Sequence, residues 1–344
     1  MKEFGSDFHK YKVDFQSSYN FFSKLDCIRF YACGRHAIDA IVLQEGWKRI
    51  WIPAYFCHEV IDHISLMDIQ IMLYDDYPLR YNDDLLIRSL PFRRGDVLLR
   101  VNFFGLRIWR SNKGIPVPVI EDHTHDLLSE WVLKSDADWC IASIRKSLPV
   151  AAGGILWSPT GKRLPSQIAA SAACEEMGNI RYNAMELKRN YLLKGKGDKR
   201  EIRDKYIRSE KMINRLELSG MDKESHEIFC SMDIKQWINL KRNNWFISYN
   251  LLKEKFTILE PKMDTIWQPF SLVILCDSVQ ERIRLRKYLI ENRIYPAILW
   301  ELPESITSFE LLDFSQRMLS IHCDGRYSEN EIKQMCQIIN SYYD

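Results

Sequence analysis

Long apolar runs are missing from this chain, and so is a surplus of charge of either sign. With 48 lysines and arginines against 46 aspartates and glutamates, the formal net charge is +2. Such a balance gives neither nucleic acid nor an anionic membrane surface a field to bind. No apolar segment approaches the length that spans a bilayer, and the opening MKEFGSDFHKYKVDF is polar, without the apolar centre of a secretion signal. The nine cysteines contain no CxxC pair, which argues against a zinc frame and a disulfide framework. Most lie among apolar neighbours and read as reduced, buried thiols of a cytoplasmic protein, with no metal site expected. No GxGxxG follows a predicted strand, so a dinucleotide-binding oxidoreductase is a poor reading. The 12 prolines and 14 glycines form no repeat or low-complexity tract.

What is present is an ordinary globular composition, 46% apolar and 27% charged over 344 residues, enough for one large domain with a smaller companion. Residues 1–26 read as an irregular N-terminal arm rich in Phe and Tyr. A buried helix is predicted to begin just after Gly34, carrying Ile38, Ala40, Ile41 and Leu43. Short apolar strands are predicted at 49–52, 69–74, 96–102, 117–122 and 138–143, with a helix at 59–67. Strands alternating with helices or long connections indicate an α/β fold with a mostly parallel sheet covered on both faces. Residues 158–235 read as charged helical stretches, whose Lys188–Arg208 region is a solvated face rather than an anion patch. Residues 234–256 read as one long helix bridging to a small α+β unit. There, strands are expected at 270–276 and 318–322, and capping boxes Ser278–Glu281 and Ser328–Glu331 open two helices.

In a parallel sheet the functional groups gather beyond the strand C-termini. Asn102, Asp122 and Lys146 all fall there. Lys146 follows a strand that ends at Ser143 and precedes a turn with Pro149 and Gly153-Gly154. Taken alone it is a surface charge. A partly desolvated amine at a pocket mouth is, however, a nucleophile toward carbonyls. Asp122 with Lys146 reads either as a structural salt bridge or as two halves of a pyridoxal phosphate site. Gly34 at a helix start offers free N–H groups to an anion, and Arg35 could add a charged hydrogen bond. The plain alternative for both is a turn-to-helix entry.

These pieces together resemble fold-type I pyridoxal-phosphate enzymes, and most closely the DegT-type sugar aminotransferase family. Gly34-Arg35-His36-Ala37 resembles the family's glycine turn, Ile52-Pro53-Ala54-Tyr55 its strand end, and Asn102-Phe103-Phe104-Gly105 its next step. Val119-Ile120-Glu121-Asp122-His123-Thr124-His125, Ser143-Ile144-Arg145-Lys146 and Gly153-Gly154 follow in the family's order. In the tail, Ile294–Trp300 and Asp324-Gly325-Arg326-Tyr327-Ser328 resemble its small-domain segments.

The resemblance implies a seven-stranded-type sheet in a large cofactor domain, 1–235, and a linking helix with a small α+β domain, 236–344. It implies Lys146 as the lysine that holds pyridoxal phosphate and shuttles a proton, and Asp122 as the partner of the pyridine nitrogen. His125 would stand near the ring's phenolic oxygen, and Ser143, Arg35 and His36 would contact the phosphate. Phe56 would stack on the ring, with Tyr55 and His58 as alternatives. The activity implied is transfer of an amino group from a donor such as glutamate to a nucleotide-linked keto sugar, in cell-surface polysaccharide or related biosynthesis, by a cytoplasmic homodimer. The sequence departs from the family in having Ala151-Ala152 where an acidic residue precedes the glycine pair. The Ser143-to-Lys146 interval is short, and only Arg181-Tyr182-Asn183 faintly matches the element that reaches a neighbouring subunit. A lyase, dehydratase or decarboxylase using the same cofactor, or a non-catalytic member of the family, are the alternatives left open.

Overall fold

A seven-stranded sheet in the order β2-β8-β7-β6-β5-β3-β4 organises the first half of the chain. The structure, a computed structural model, describes residues 3–11, 22, 27–261 and 267–343. Much of the expected N-terminal arm, 12–21 and 23–26, therefore lies outside the described residues. The strands are β2 (Ile28–Tyr31), β3 (Arg49–Pro53), β4 (Gln70–Tyr74), β5 (Asp96–Val101), β6 (Val119–Asp122), β7 (Trp139–Ala142) and β8 (Gly154–Trp157), while β1 (Phe4–Gly5) lies elsewhere. Strands β7, β6, β5, β3 and β4 pair in parallel, and β8 runs antiparallel to both β7 and β2.

The central strands are buried along their whole length, as the continuous apolar runs require of a sheet covered on both faces. Alternate residues feed two separate cores. Ile50, Ile52, Val97, Leu99 and Ile141 pack with Ile38 and Ile41 of α1 (Gly34–Glu45). Trp51, Leu98, Cys140 and Ile155 pack on the other face with Cys174 and Met177 of α5 (Ala172–Lys194). Edge strand β4 leaves Leu73 exposed.

Between the strands lie α2 (His58–Ile64), α3 (Asp84–Ser89) and α4 (Glu130–Lys134). The last two are single-turn elements too short for a periodic signal. Helix α6 (Lys199–Arg215) packs antiparallel-hairpin fashion on α5 and is followed by α7 (Lys223–Ser231). Helix α8 (Ile234–Leu252) ends four residues short of the expected 234–256; its Trp237 and Ile238 belong to the sheet core, and its Trp245 and Leu252 pack with the C-terminal elements.

Those elements are β9 (Leu272–Leu275), α9 (Val279–Glu291), β10 (Ile294–Tyr295), α10 (Phe309–Arg317), β11 (Met318–Ile321) and α11 (Glu329–Asn340). Strands β9 and β11 pair antiparallel, and β10 pairs in parallel with β1, tying residues 4–5 to this end of the molecule. The Ser328–Glu331 capping box forms in full, and Ile332, Met335, Cys336 and Ile339 of α11 face inward as their spacing demands. The Ser278 box forms by half: Ser278 accepts from Glu281 N, but the Glu281 carboxylate takes the amide of Asp277. Helix α10 was not anticipated from the sequence; its Leu311 and Phe314 join the sheet core from outside.

Candidate active site

Three strand ends and one helix start converge on a cleft at the C-terminal edge of the sheet, with a cavity volume of about 50 Å³. Strands β6 and β7 are parallel neighbours with Asp122 opposite Ile141. The residues that follow them therefore share one rim. After β7 the chain makes a single 3-10 turn, Ile144–Lys146, which turns Lys146 back toward Asp122. The turn is pinned from three directions. Ser143 N donates to the Thr124 hydroxyl (2.9 Å), Ser147 Oγ to Thr124 O (3.2 Å), and the Trp237 indole to Ser147 O (2.9 Å).

Lys146, Asp122, Ser143, Gly34, Arg35, Phe56 and His125 all line the cleft. Among the described residues, the Lys146 amine has no hydrogen-bond or ion-pair partner. Burial pushes the Asp122 carboxyl above its usual range, opposed in part by hydrogen bonds from Thr124 and by the charge of Lys146. A carboxylate so placed is stabilised by a cation brought against it.

The start of α1 leaves backbone N–H groups without an intrahelical partner. The amides of Gly34, Arg35 and His36 precede the first intrahelical bond, from Ala37 N to Cys33 O, and Cys33 supplies no side-chain cap. Helices α5 to α9 each carry a capping side chain, Ser171, Asp198, Asp222, Asp233 and Ser278, whereas α2, α3 and α10 lack one as α1 does. Two glycines allow this helix start to sit at the strand ends. A Cβ on Gly154 would lie 2.1 Å from Cys33 O, and one on Gly34 would lie 3.1 Å from Ser143 Cβ. The Gly153-Gly154 pair thus serves close packing of β8 beneath the helix entry.

His125 is held in a stack of rings. Its centroid is 4.1 Å from Phe270, 5.4 Å from Phe104 and 5.4 Å from Trp300, with interplanar angles of 27°, 16° and 15°. Phe104 N donates to His125 Nδ1 at 3.2 Å. Burial, then the nearby charges of Lys146 and Lys241, hold the imidazole pKa well below its ordinary value. The ring is therefore neutral, and with Nδ1 accepting, its proton is on Nε2. Phe270 reaches this stack because Gly105, at φ 72°, lets the backbone of Gln268 pass where a Cβ would stand 1.9 Å from its carbonyl oxygen.

Not every expected residue arrives. The His36 side chain does not line the cleft; its ring is turned to the 216–219 segment, with Nε2 3.0 Å from Leu216 O and Nδ1 accepting from Ser219 N at 3.3 Å. Tyr55 lies in the core, its hydroxyl donating to Leu299 O, and neither it nor His58 lines the cleft. Phe56 does, with Trp300 beside it at 6.0 Å. Arg35 lines the cleft, but its guanidinium is already hydrogen-bonded to Asn214 Oδ1 at 2.6 Å. None of the basic residues between 188 and 208 lines it. Lys188 is buried against Ser6 and Asp7, Lys205 pairs with Glu201 one turn away, and Arg208 pairs with Glu176.

Sequence reasoning also passed over Arg145, Thr124 and Trp300, which line the same cleft. Arg145 is clamped by Glu210 of α6 through two hydrogen bonds, 2.8 and 3.2 Å. Glu210 also accepts from Arg181, which in turn reaches Asp7. The Arg181-Tyr182-Asn183 element is thus used within its own chain, with Tyr182 bonded to Ser225. Behind Asp122, Glu121, His123 and Cys140 approach within 4.8 Å of one another. They are occupied with each other: His123 lies between Glu121 (3.2 Å) and Asp126 (3.0 Å), which hold it as an imidazolium well above its usual pKa.

No family model matches the sequence, and no curated protein is similar to it. Solved structures are. Helicobacter pylori PseC, an aminotransferase involved in the biosynthesis of pseudoaminic acid, superposes with a TM-score of 0.66 at 11% identity, covering 99% of this chain and 99% of its own. Spr1654 of Streptococcus pneumoniae, described as a sugar aminotransferase and solved in its PLP form, gives 0.61 at 11% identity, covering 93% and 88%. A DegT/DnrJ/EryC1/StrS aminotransferase of Brucella abortus gives 0.56 at 12% identity, covering 93% and 87%. Across nearly its whole length, the chain has the fold of the DegT-type sugar aminotransferases.

Proposed function

We propose that the chain is a DegT-type, pyridoxal-phosphate-dependent aminotransferase that moves an amino group from an amino-acid donor to a keto sugar, nucleotide-linked. The observation that carries this reading is the gathering, in one cleft, of an unpartnered lysine amine, a buried carboxyl and an uncapped helix N-terminus. The residues fit the cofactor. The α1 amides with Ser143 and Arg35 would hold its phosphate, Asp122 its pyridine nitrogen, and His125 Nε2–H its phenolic oxygen. Phe56 would pack against its ring. Arg145, fixed by Glu210, adds positive charge at the same rim.

Pyridoxal phosphate, when bound, supplies a carbonyl and an electron-withdrawing ring. Asp122 keeps a proton on the ring nitrogen, which burial would otherwise expel. Lys146 Nζ, an amine at the cleft without a partner, would hold the cofactor and serve as the base that moves a proton at the donor's reacting carbon. His125, neutral and unable to turn within its stack, donates one hydrogen bond without adding charge. Trp300, which lines the cleft beside His125, would narrow the access of water to it.

The same reading divides the chain at about residue 235, with α8 linking a large cofactor domain to a small α+β domain. It also makes the protein a cytoplasmic homodimer. The test is to load purified protein with pyridoxal phosphate, add L-glutamate, and follow the visible spectrum and 2-oxoglutarate together. Loss of the cofactor band with equimolar 2-oxoglutarate is expected. A band that persists with every amino donor tried, or release of ammonia, water or carbon dioxide instead, would overturn transamination.

A further inference from the structure

One cation near the cleft has no evident partner. Lys241 projects from α8 and is only 6% exposed. Among the described residues, it makes no hydrogen bond or ion pair. Its Nζ lies 4.8 Å from the centroid of the Phe270 ring. The acid nearest in charge, Asp324, is already spent: its Oδ1 accepts from Arg326 Nε at 2.8 Å and its Oδ2 from Arg326 Nη2 at 2.9 Å. Burial pushes the Lys241 amine below its ordinary pKa, the mark of an ammonium lacking a counter-ion.

The position of this amine gives it a use. Phe270 stacks on His125 at 4.1 Å, and His125 lines the cleft. One turn earlier on α8, Trp237 binds Ser147, the residue after Lys146. Lys241 does not itself line the cleft: Phe270 and then His125 stand between its amine and the reacting end, and it projects from the helix that braces the lysine turn. A methionine at this position would fill similar volume without desolvating a charge, so the lysine is held at a cost to stability. Resting on the aminotransferase reading, we infer that Lys241 supplies the counter-charge for an anionic oxygen of a substrate entering beside His125 and Phe270. That oxygen belongs to the carboxylate of the amino donor or to a phosphate of the sugar acceptor. An ammonium is a point charge with rotatable donors and suits either.

The test is calorimetric titration of the cofactor-loaded protein, wild type, Lys241→Met and Lys241→Arg, at ionic strength fixed with potassium chloride. Succinate stands for the donor carboxylates and inorganic pyrophosphate for the acceptor phosphates. Wild type is expected to bind one of the two. Lys241→Met should weaken that binding by roughly tenfold to a hundredfold, the range of a hydrogen bond to a charged group, while melting at or above wild type. Lys241→Arg should retain most of it. In unsubstituted protein the same anion should slow acetylation of Lys241, read by peptide mass, which needs no variant to fold. The inference is overturned if neither anion binds, if Lys241→Met binds as tightly as wild type, or if the bound anion leaves Lys241 acetylation unchanged. Lys241-dependent anion binding without amino transfer from any donor would keep this inference and overturn the aminotransferase reading. Amino transfer with Lys241-independent binding would do the reverse.

Discussion

Gly105 and Gly161 offer a matched pair for testing how the His125 stack is held. Both have left-handed backbones, at φ 72° and φ 76°. A Cβ at Gly161 meets nothing within 4 Å, whereas one at Gly105 would lie 1.9 Å from Gln268 O and 3.3 Å from His125 O. Gly161→Ala therefore incurs backbone strain alone, about 1–2 kcal/mol. Gly105→Ala incurs the same strain and must also push the 267–271 segment aside, adding overpacking of about 1–3 kcal/mol. Because Phe270 N donates to Phe104 O at 3.0 Å within that segment, the displacement carries Phe270 off His125. Urea unfolding monitored by circular dichroism gives the two stability losses, and the spectrum of bound cofactor reports on the stack. Expected are a larger loss for Gly105→Ala and a shifted cofactor band in that variant only. Equal stability losses, or an unchanged band in a destabilised Gly105→Ala, would refute the argument that Gly105 seats Phe270.

Asp122→Asn keeps the hydrogen-bonding shape but removes the anion. Cofactor should still bind, while its reduction by L-glutamate, followed by stopped flow, slows by on the order of 10²-fold or more. His125→Phe keeps the ring stack but loses the Nε2–H and strands the Phe104 amide that Nδ1 accepts, so the variant should lose about 1–3 kcal/mol of stability and show a displaced cofactor band. Glu210 bears on pH. Burial alone would raise its pKa, but Arg145 and Arg181 outweigh burial and hold it at about 2. Its contribution to stability is therefore present above the ordinary carboxyl pKa, about 4.5, and is lost as pH falls toward 2. Glu210→Gln should flatten the stability–pH curve in that window, measured by melting temperature, and leave the slope above pH 6 unchanged.

The strand ends were legible because parallel central strands must be apolar throughout. Asn102 directly follows β5, Asp122 ends β6 and Lys146 comes four residues after β7, so all three fall at the sheet edge. Neighbouring β6 and β7 then brought Asp122 and Lys146 to one rim. The orientation of side chains on α1 was not legible in the same way. Arg35 and His36 follow one another in the first turn, so their side chains leave the axis about 100° apart; Arg35 borders the cleft and His36 meets Leu216 and Ser219. The backbone groups that claim His36, the acceptor Leu216 O and the donor Ser219 N, lie some 180 residues away in sequence. The same distance in sequence hid the clamp of Glu210 on Arg145, the approach of Phe270 to His125 and the place of Lys241. Each depends on how α6, α8 and the segment before β9 return to the sheet, which no local pattern encodes.

The most direct measurement is the identity of the lysine that carries the cofactor. Protein loaded with pyridoxal phosphate is reduced with borohydride, digested, and its peptides are mapped by mass. The account predicts a phosphopyridoxyl group on Lys146, absent in Lys146→Ala, whose protein folds but loses the visible band. Modification confined to another lysine, or a band that survives in Lys146→Ala, would contradict it.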